Sequence, residues 1–387
     1  MNKEDIMIPE MNTLSSVYEF CMLDKPYEIN INTDKLMIEA FKEIINWHTQ
    51  HNQFYCKFLN ANDFSVNDLN SVEDLHKLPF LHANFFKLHE IPSIEQEKIF
   101  LRLTSSGTTG QKSQMFFDEW SIKIARRMVD TIFDYYGFNT PEQEVNYLLY
   151  AYEPVENLAV GTTNTNVFLT SYAKPKHIRF ALRNYGNGKH EFDFFGTAET
   201  LIKYQEEGIP VRIFGFPAFM YFTLAKMKEL GYSDLKLHPE SFVSFGGGWK
   251  GFSDKAITKE ELYSMIQKQL GIIDSRIRES YGSVEHSIPY VECPNHNLHV
   301  PVWSKLYIRD VKTLEVLGYN QTGYMQFVTP YITSVPAMSV LMGDLGEMYS
   351  GDSCGCGLET PFFVIKGRAG ISQNKSCAVS AAELLRK

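Results

Sequence analysis

The chain has little cysteine, no long apolar run and no excess of positive charge, and each shortage removes a class of protein. Six cysteines in 387 residues are too few for a disulfide-stapled scaffold. Cys21 and Cys56 stand apart, whereas Cys293, Cys354, Cys356 and Cys377 crowd the last quarter of the chain, which suits reduced thiols used for metal binding or chemistry. No stretch reaches the ~18 consecutive apolar residues of a membrane span. The opening Met1-Asn2-Lys3-Glu4-Asp5 lacks the basic-then-apolar pattern of a secretory signal. A cytoplasmic protein with no membrane span is expected. The formal net charge of −9 argues against a nucleic-acid-binding surface. There is no internal repeat and no low-complexity segment.

What is present is core-forming material: 44% of residues are hydrophobic and 14% aromatic, enough for more than one domain at ~150 residues each. Apolar side chains at helical spacing over residues 33–58 (Leu36, Ile38, Ala40, Phe41, Ile44, Ile45, Phe54) predict one long amphipathic helix in an outer layer. From about residue 100 to 290 short apolar runs alternate with helical patterns. Strands are expected over 146–152, 210–215 and 240–245, and helices over 198–206, 217–230 and 258–269, with Pro217 suited to a first helical turn. Such alternation indicates βα units around a largely parallel sheet. Beyond residue 298, β-like runs at 300–308, 323–329 and 339–342 are bounded by Gly, Asn and Pro. The expected division is a helical region (1–100), an α/β core (101–297), a β-rich subdomain (298–368) and a short mobile tail (369–387).

The sharpest segment is Thr104-Ser105-Ser106-Gly107-Thr108-Thr109-Gly110-Gln111-Lys112. Glycines let backbone N–H groups approach a ligand, hydroxyls donate further bonds and Lys112 adds a positive charge, together suiting a polyphosphate. It is not a Walker A loop, because Gly110-Gln111-Lys112-Ser113 stands where Gly-Lys-Ser would be required. A plain Ser/Gly-rich turn fits the same residues.

This loop resembles the phosphate loop of adenylate-forming enzymes, which activate carboxylic acids as acyl-AMP. Four further segments resemble that family in the family's order. Gly246-Gly247-Gly248 resembles its adenine-side turn, and Tyr281-Gly282-Ser283-Val284-Glu285 its Tyr-Gly-x-x-Glu motif, in which the tyrosine lies near adenine and the glutamate serves Mg²⁺. Gly343-Asp344-Leu345-Gly346 resembles the motif whose aspartate holds the ribose hydroxyls, and Lys366-Gly367-Arg368 the Gly-Arg hinge. The resemblance implies an α/β fold, the N-terminal body of an adenylate-forming enzyme: two α/β subdomains plus a β-rich subdomain. It also implies ATP and Mg²⁺ as cofactors. Each motif alone is weak; five in order over some 260 residues are not.

Leu78-Pro79, Phe85-Phe86-Lys87, Trp249-Lys250, His299-Val300-Pro301 with Trp303, and the terminal Ser376-Cys377-Ala378-Val379-Ser380 narrow the resemblance. It is to the acyl-protein synthetase (LuxE-like) family of bacterial fatty-acid reductase complexes. That resemblance implies activation of a fatty acid, loading onto Cys377, and delivery to an acyl reductase or another acceptor protein. A carrier thiol must reach the adenylate and then swing out, which a tail of small residues permits, and Lys375 favours the thiolate. Only 19 residues follow Arg368, so a vestigial C-terminal domain is expected, with Lys112 or Lys250 supplying the cation that a full domain would bring.

Cys293, His299, Cys354 and Cys356 have the ligand types of a tetrahedral structural zinc site, with His296 as an alternative to His299. The pattern resembles the phenylacetate–CoA ligase branch of the adenylate-forming enzymes, some members of which carry zinc at such a site. Buried, unbonded thiols are the alternative. Phe214, Gly215, Phe216, Trp249, Lys250 and His286 are the expected lining of the acyl pocket; by spacing alone such aromatic residues are more often plain core, though an apolar tunnel needs the same side chains. Two rival functions remain open at this stage. One is an acid–CoA or acid–carrier-protein ligase using an external thiol, and the other is a non-catalytic docking subunit.

Overall fold

The computed structural model describes residues 6–104, 114–154, 168–186, 189–249 and 252–368. These fall into two compact units. One comprises the described residues up to Tyr135 together with Gly282–Tyr290 and the described residues from Asn297 onward; the other comprises Tyr136–Tyr281 with Val291–His296. No helix among the described residues is long and apolar enough to cross a membrane.

The second unit is built on a seven-stranded sheet in the order Tyr290–Val291, Ile277–Tyr281, Phe242–Phe245, Val211–Gly215, Thr140–Tyr152, Ala173–Asn184, His190–Phe192. From Ile277–Tyr281 to Ala173–Asn184 all neighbouring strands run parallel, and His190–Phe192 closes one edge antiparallel. The alternating apolar runs of the sequence are therefore strands buried on both faces, as parallel sheets require. Leu201, Leu224 and Ile266 from three helices pack with Ile213, Val243 and Ile277 of the strands in one core. Local chemistry sets the helix ends. Pro217 opens Pro217–Glu229, Thr258 caps Lys259–Leu270 through a reciprocal capping box, and Gly208 and Gly271 end their helices in the left-handed region.

In the first unit, a six-stranded sheet runs Leu298–His299, Phe362–Arg368, Ser339–Tyr349, Thr322–Val328, Lys305–Arg309, with Leu81–His82 pairing parallel to Ser339–Tyr349. The longer strands pair antiparallel. A separate hairpin joins Leu101–Thr104 to Gln114–Phe117, with Thr104 opposite Gln114.

The expected long helix over 33–58 is two helices, Ile31–His51 and Gln53–Ala61, broken at Asn52. Asn52 takes an extended backbone (φ −137°, ψ 102°) and its side chain accepts from the Tyr55 N–H. Its amide donates to the carbonyls of Ile91 and Pro92, each at 3.0 Å. One buried side chain thus caps the second helix and ties both helices to a distant loop, and apolar periodicity carries no sign of this.

His48, fully buried, links the first of these helices to two other segments. A carbonyl can only accept, so the ring donates through Nε2 to Ile332 O (2.9 Å) and accepts at Nδ1 from the Ser93 hydroxyl (2.7 Å). Burial lowers its pKa from 6.5 to about 3. The unfolded chain takes up a proton below about pH 6.5 and the folded chain does not, so this contribution to stability is complete above that pH and is lost as pH falls toward 3. The loss between pH 7 and 5 is about 2 kcal/mol. Denaturant unfolding at the two pH values measures it. His48→Gln is expected to be less stable at pH 7 but to show a flatter pH slope, and an unchanged slope would refute the assignment.

Candidate functional site

The carboxyl ends of the parallel strands gather several residues singled out by sequence. Tyr150 stands opposite Gly215, and Gly215 opposite Phe245, which in turn faces Glu279 near the end of the next strand. In open parallel sheets, ligands bind beyond this edge. Gly215 has φ +122°, and a Cβ there would lie 2.2 Å from the Tyr150 carbonyl oxygen. Only glycine therefore lets the strand end so close to its neighbour. The Phe216 N–H then donates to that same carbonyl at 2.9 Å, and the Gly246 N–H donates to Gly215 O at 3.0 Å. Gly247 (φ +79°) and Gly248 (φ +64°) turn the chain immediately after Phe242–Phe245, and Ser280 Oγ donates to Phe245 O at 2.9 Å. The glycine-rich turn and the Tyr281 strand end are thus held together by backbone and hydroxyl bonds.

The predicted pocket residues divide by surroundings. Phe214 is fully buried, its ring against Tyr147 (5.8 Å) and Phe242 (5.7 Å). Phe216 packs edge-on to Tyr152 at 5.8 Å. Trp249 is half-buried and lies 5.7 Å from Tyr221. Lys250 lies outside the described residues, as do Ser105, Ser106, Gly107, Thr108, Thr109, Gly110, Lys112 and Cys377. Thr104 ends its strand at the start of that Ser/Gly-rich segment.

In the first unit, Gly282 begins the segment that carries Glu285 and His286, both buried. The Ser283 hydroxyl accepts from the His286 N–H at 3.1 Å, and Ser287 Oγ donates to the Val284 carbonyl at 3.1 Å. His286 Nε2 lies 2.8 Å from the Tyr290 hydroxyl, which lies 2.7 Å from Ser304 Oγ. Burial lowers the His286 pKa to about 3, so the ring is neutral, and pushes the Tyr290 hydroxyl well up. Elsewhere in the same unit, Asp344 is half-buried on Ser339–Tyr349 and stands opposite Arg368 across the antiparallel pair. The register shifts between Leu345 and Gly346. A Cβ at Gly346 would meet Met325 Sδ at 2.6 Å, which explains the glycine two places after Asp344.

Three of the four metal-type residues come together in the first unit: one ligand atom each from His299, Cys354 and Cys356 all lie within 4.8 Å of one another, while Cys293 belongs to the second unit. His299 Nε2 is 3.3 Å from Cys356 Sγ, while its Nδ1 donates to the Thr360 carbonyl at 2.7 Å. That second bond fixes the tautomer, leaving Nε2 as the free electron pair, as in protein metal centres generally. Asn297 Nδ2 donates to Cys354 Sγ at 3.2 Å, and Gly355 (φ +72°) turns the chain between the two cysteines. Cys293 follows Glu292, whose buried carboxylate takes Lys259 Nζ (2.7 Å), Tyr263 OH (2.9 Å) and the Glu279 N–H (2.8 Å). Burial, reinforced by Glu292, pushes Glu279 up to about 7. His296 does not join the group. It has φ +58° and binds Asp274 at 2.8 Å. The choice that spacing left open is thus made by the fold in favour of His299.

A family model described as acyl-protein synthetase, LuxE, matches residues 4–386. The chain belongs to the acyl-protein synthetase (LuxE) family. Two curated relatives, each named long-chain-fatty-acid–luciferin-component ligase, are similar to this synthetase along nearly all its length. That of Vibrio harveyi is 24% identical over 373 residues, covering 95% of this chain and 93% of the relative. That of Aliivibrio fischeri is 24% identical over 383 residues, covering 96% and 95%. Among solved structures, 2-hydroxyisobutyryl-CoA ligase in an open conformation with 2-HIB-AMP and CoA matches with a TM-score of 0.64 at 12% identity, over 95% of this chain and 80% of that one. The same ligase in its postadenylation state gives 0.65 at 13%, over 95% and 73%. At such identity the likeness speaks for the fold alone, which this chain shares with that ligase. This acyl-protein synthetase is accordingly a ligase with an α/β body, as its sequence predicts.

Several residues of this synthetase's sites carry no motif of their own. Thr360 contributes a backbone carbonyl, which no sequence pattern reveals. Asn297 stands two places before His299, a hint visible only once His299 is chosen. Tyr290 and Ser304 read as ordinary β-region residues.

Proposed function

We propose that this synthetase uses ATP and Mg²⁺ to activate a long-chain fatty acid, loads the acyl group on Cys377 and passes it to a thiol of an acceptor protein such as an acyl reductase. The family match over residues 4–386 carries the reading. The relatives named as long-chain-fatty-acid ligases and the adenylate-family motifs in order support it.

In the first step a carboxylate oxygen attacks the α-phosphorus, a C–O–P linkage forms and the bond to pyrophosphate breaks. In the second, the Cys377 thiolate attacks the carbonyl carbon of the mixed anhydride, the C–O bond to AMP breaks and a thioester remains, the thiol proton having passed to solvent. Thr104 through Gly110 and Lys112 would hold the phosphates. Gly246, Gly247, Gly248, Tyr281 and Gly282 would frame the adenine, with Asp344 on the ribose and Arg368 near it. Phe214, Gly215, Phe216, Trp249, Lys250 and His286 would border the acyl pocket. Glu285 is a buried carboxylate beside the Ser283 hydroxyl turn, hard oxygen chemistry that fits Mg²⁺; the ion supplies charge neutralisation at the phosphates.

Cys293, His299, Cys354 and Cys356 fit a structural Zn²⁺. The His299, Cys354 and Cys356 atoms are already gathered and His299 is locked by Thr360, and four protein ligands leave no open position for catalysis.

Fatty-acid-dependent exchange of labelled pyrophosphate into ATP tests the activation step, and its absence with every acid from short to long chain would overturn the proposal. Pyrophosphate release that instead rises with added coenzyme A would move the acceptor from Cys377 to an external thiol. Asp344→Ala is expected to lower kcat/KM for ATP about 100-fold, the loss of two charge-assisted hydrogen bonds worth ~3 kcal/mol together. Its melting temperature should change little, since the side chain is half-exposed. A wild-type ATP response would remove Asp344 from the ribose site.

A further inference from the structure

Of the buried set His286, Tyr290 and Ser304, only His286 has a role above, at the border of the acyl pocket, and the set adjoins Glu285. His286 is 1% exposed, Tyr290 and Ser304 are fully buried, and the His286 and Tyr290 rings lie against Phe327, with Phe363 edge-on to Tyr290. Burying three polar side chains among aromatic rings is costly unless each is hydrogen-bonded. The three satisfy one another in a triangle: His286 Nε2 to Tyr290 OH 2.8 Å, Tyr290 OH to Ser304 Oγ 2.7 Å, and Ser304 Oγ to His286 Nε2 3.5 Å. The imidazole is stacked on Phe327 with centroids 4.8 Å apart and planes 22° from parallel. It is also pinned at its own backbone by Ser283 Oγ. Ring plane, ring edge and main chain are therefore all fixed at the residue directly after Glu285. His286 Nδ1, buried, has no hydrogen-bond partner among the described residues. An apolar side chain would fill the same volume without leaving that atom unpaired, so packing alone does not account for a histidine here.

We infer that His286, Tyr290 and Ser304 are positioning residues that hold Glu285 in the orientation in which it serves the nucleotide-bound divalent cation. The inference rests on the reading of Glu285 as the carboxylate for that cation. The Tyr290 hydroxyl is the hub, because both other members bond to it. Removing it loosens the ring next to Glu285 while leaving the aromatic packing in place. Outer partners of this kind typically change metal affinity by 10–100-fold when lost.

The test is the affinity for Mn²⁺·ATP, followed by electron paramagnetic resonance in the absence of any acid, so that no turnover contributes. Tyr290→Phe and His286→Phe are each expected to weaken Mn²⁺·ATP binding about tenfold. His286→Gln, which can still bond to the Tyr290 hydroxyl, should recover most of the loss, and in Tyr290→Phe, which leaves every acyl-pocket residue in place, the KM for the acid should stay within twofold. Ser304→Ala, the mildest change, should fall between wild type and Tyr290→Phe and serves if either phenylalanine variant fails to fold. Glu285→Gln separates the two levels. If it binds weakly while Tyr290→Phe, His286→Phe and Ser304→Ala bind as wild type, the positioning role is refuted and Glu285 keeps its own. If Glu285→Gln itself binds as wild type, the cation role and the positioning role fall together. Equal losses toward Mn²⁺·ATP and toward the acid in Tyr290→Phe would also overturn it, since general loosening of the structure would then explain both.

Discussion

Cys377→Ala is expected to leave fatty-acid-dependent pyrophosphate exchange within about twofold of wild type and to abolish the acyl-enzyme. Removing the nucleophile from a two-step reaction stops the second step and spares the first. Transfer to a protein acceptor should therefore fall by at least ~1000-fold. Intact-mass spectrometry after incubation with ATP, Mg²⁺ and a mixture of fatty and aryl acids reads the result directly. Wild type should gain one hydroxylamine-labile adduct whose mass names the acid, and the variant none. An adduct that persists in Cys377→Ala would place the thioester on another cysteine. Of the five others, Cys293, Cys354 and Cys356 sit in the metal-type group and Cys21 is fully buried with its thiol pushed far up by burial. That leaves Cys56, half-exposed on the Gln53–Ala61 helix, as the thiol to examine next.

The second large effect is on stability. The protein produced with zinc available should carry one zinc per chain, and Cys356→Ser should lose it. A ligand that binds only the folded state at about a thousand times its dissociation constant contributes ~4 kcal/mol, so stripping the metal should lower the melting temperature by roughly 5 °C in a chain of this size. Elemental analysis and thermal unfolding with and without a strong chelator decide it. Absence of zinc together with identical melting curves would overturn the zinc assignment. Asn297→Ala should have a smaller effect than Cys356→Ser, because it removes a donor to Cys354 and no ligand atom.

Part of this was legible residue by residue. Pro217, Thr258 and Gly271 mark helix ends through interactions within a few positions, and those helices lie where the pattern puts them. The apolar runs at 146–152, 210–215 and 240–245 became parallel strands because a strand buried on both faces needs just such a run. The helix over 33–58 was misjudged at Asn52. Nothing in its neighbours breaks the periodicity, and the break is set by the carbonyls of Ile91 and Pro92, some forty residues away.

By itself, then, the sequence determined the class of fold and the family, because both rest on patterns short enough to be complete within one stretch of chain: runs, caps, glycine turns and ordered motifs. Tertiary structure decided His299 over His296, the lock of His299 on Thr360, and the triangle of His286, Tyr290 and Ser304. Each depends on groups brought within hydrogen-bond reach from elsewhere in the chain, from 4 to 61 residues away. Spacing can propose such partners, but only folding brings their atoms within 3 Å of one another.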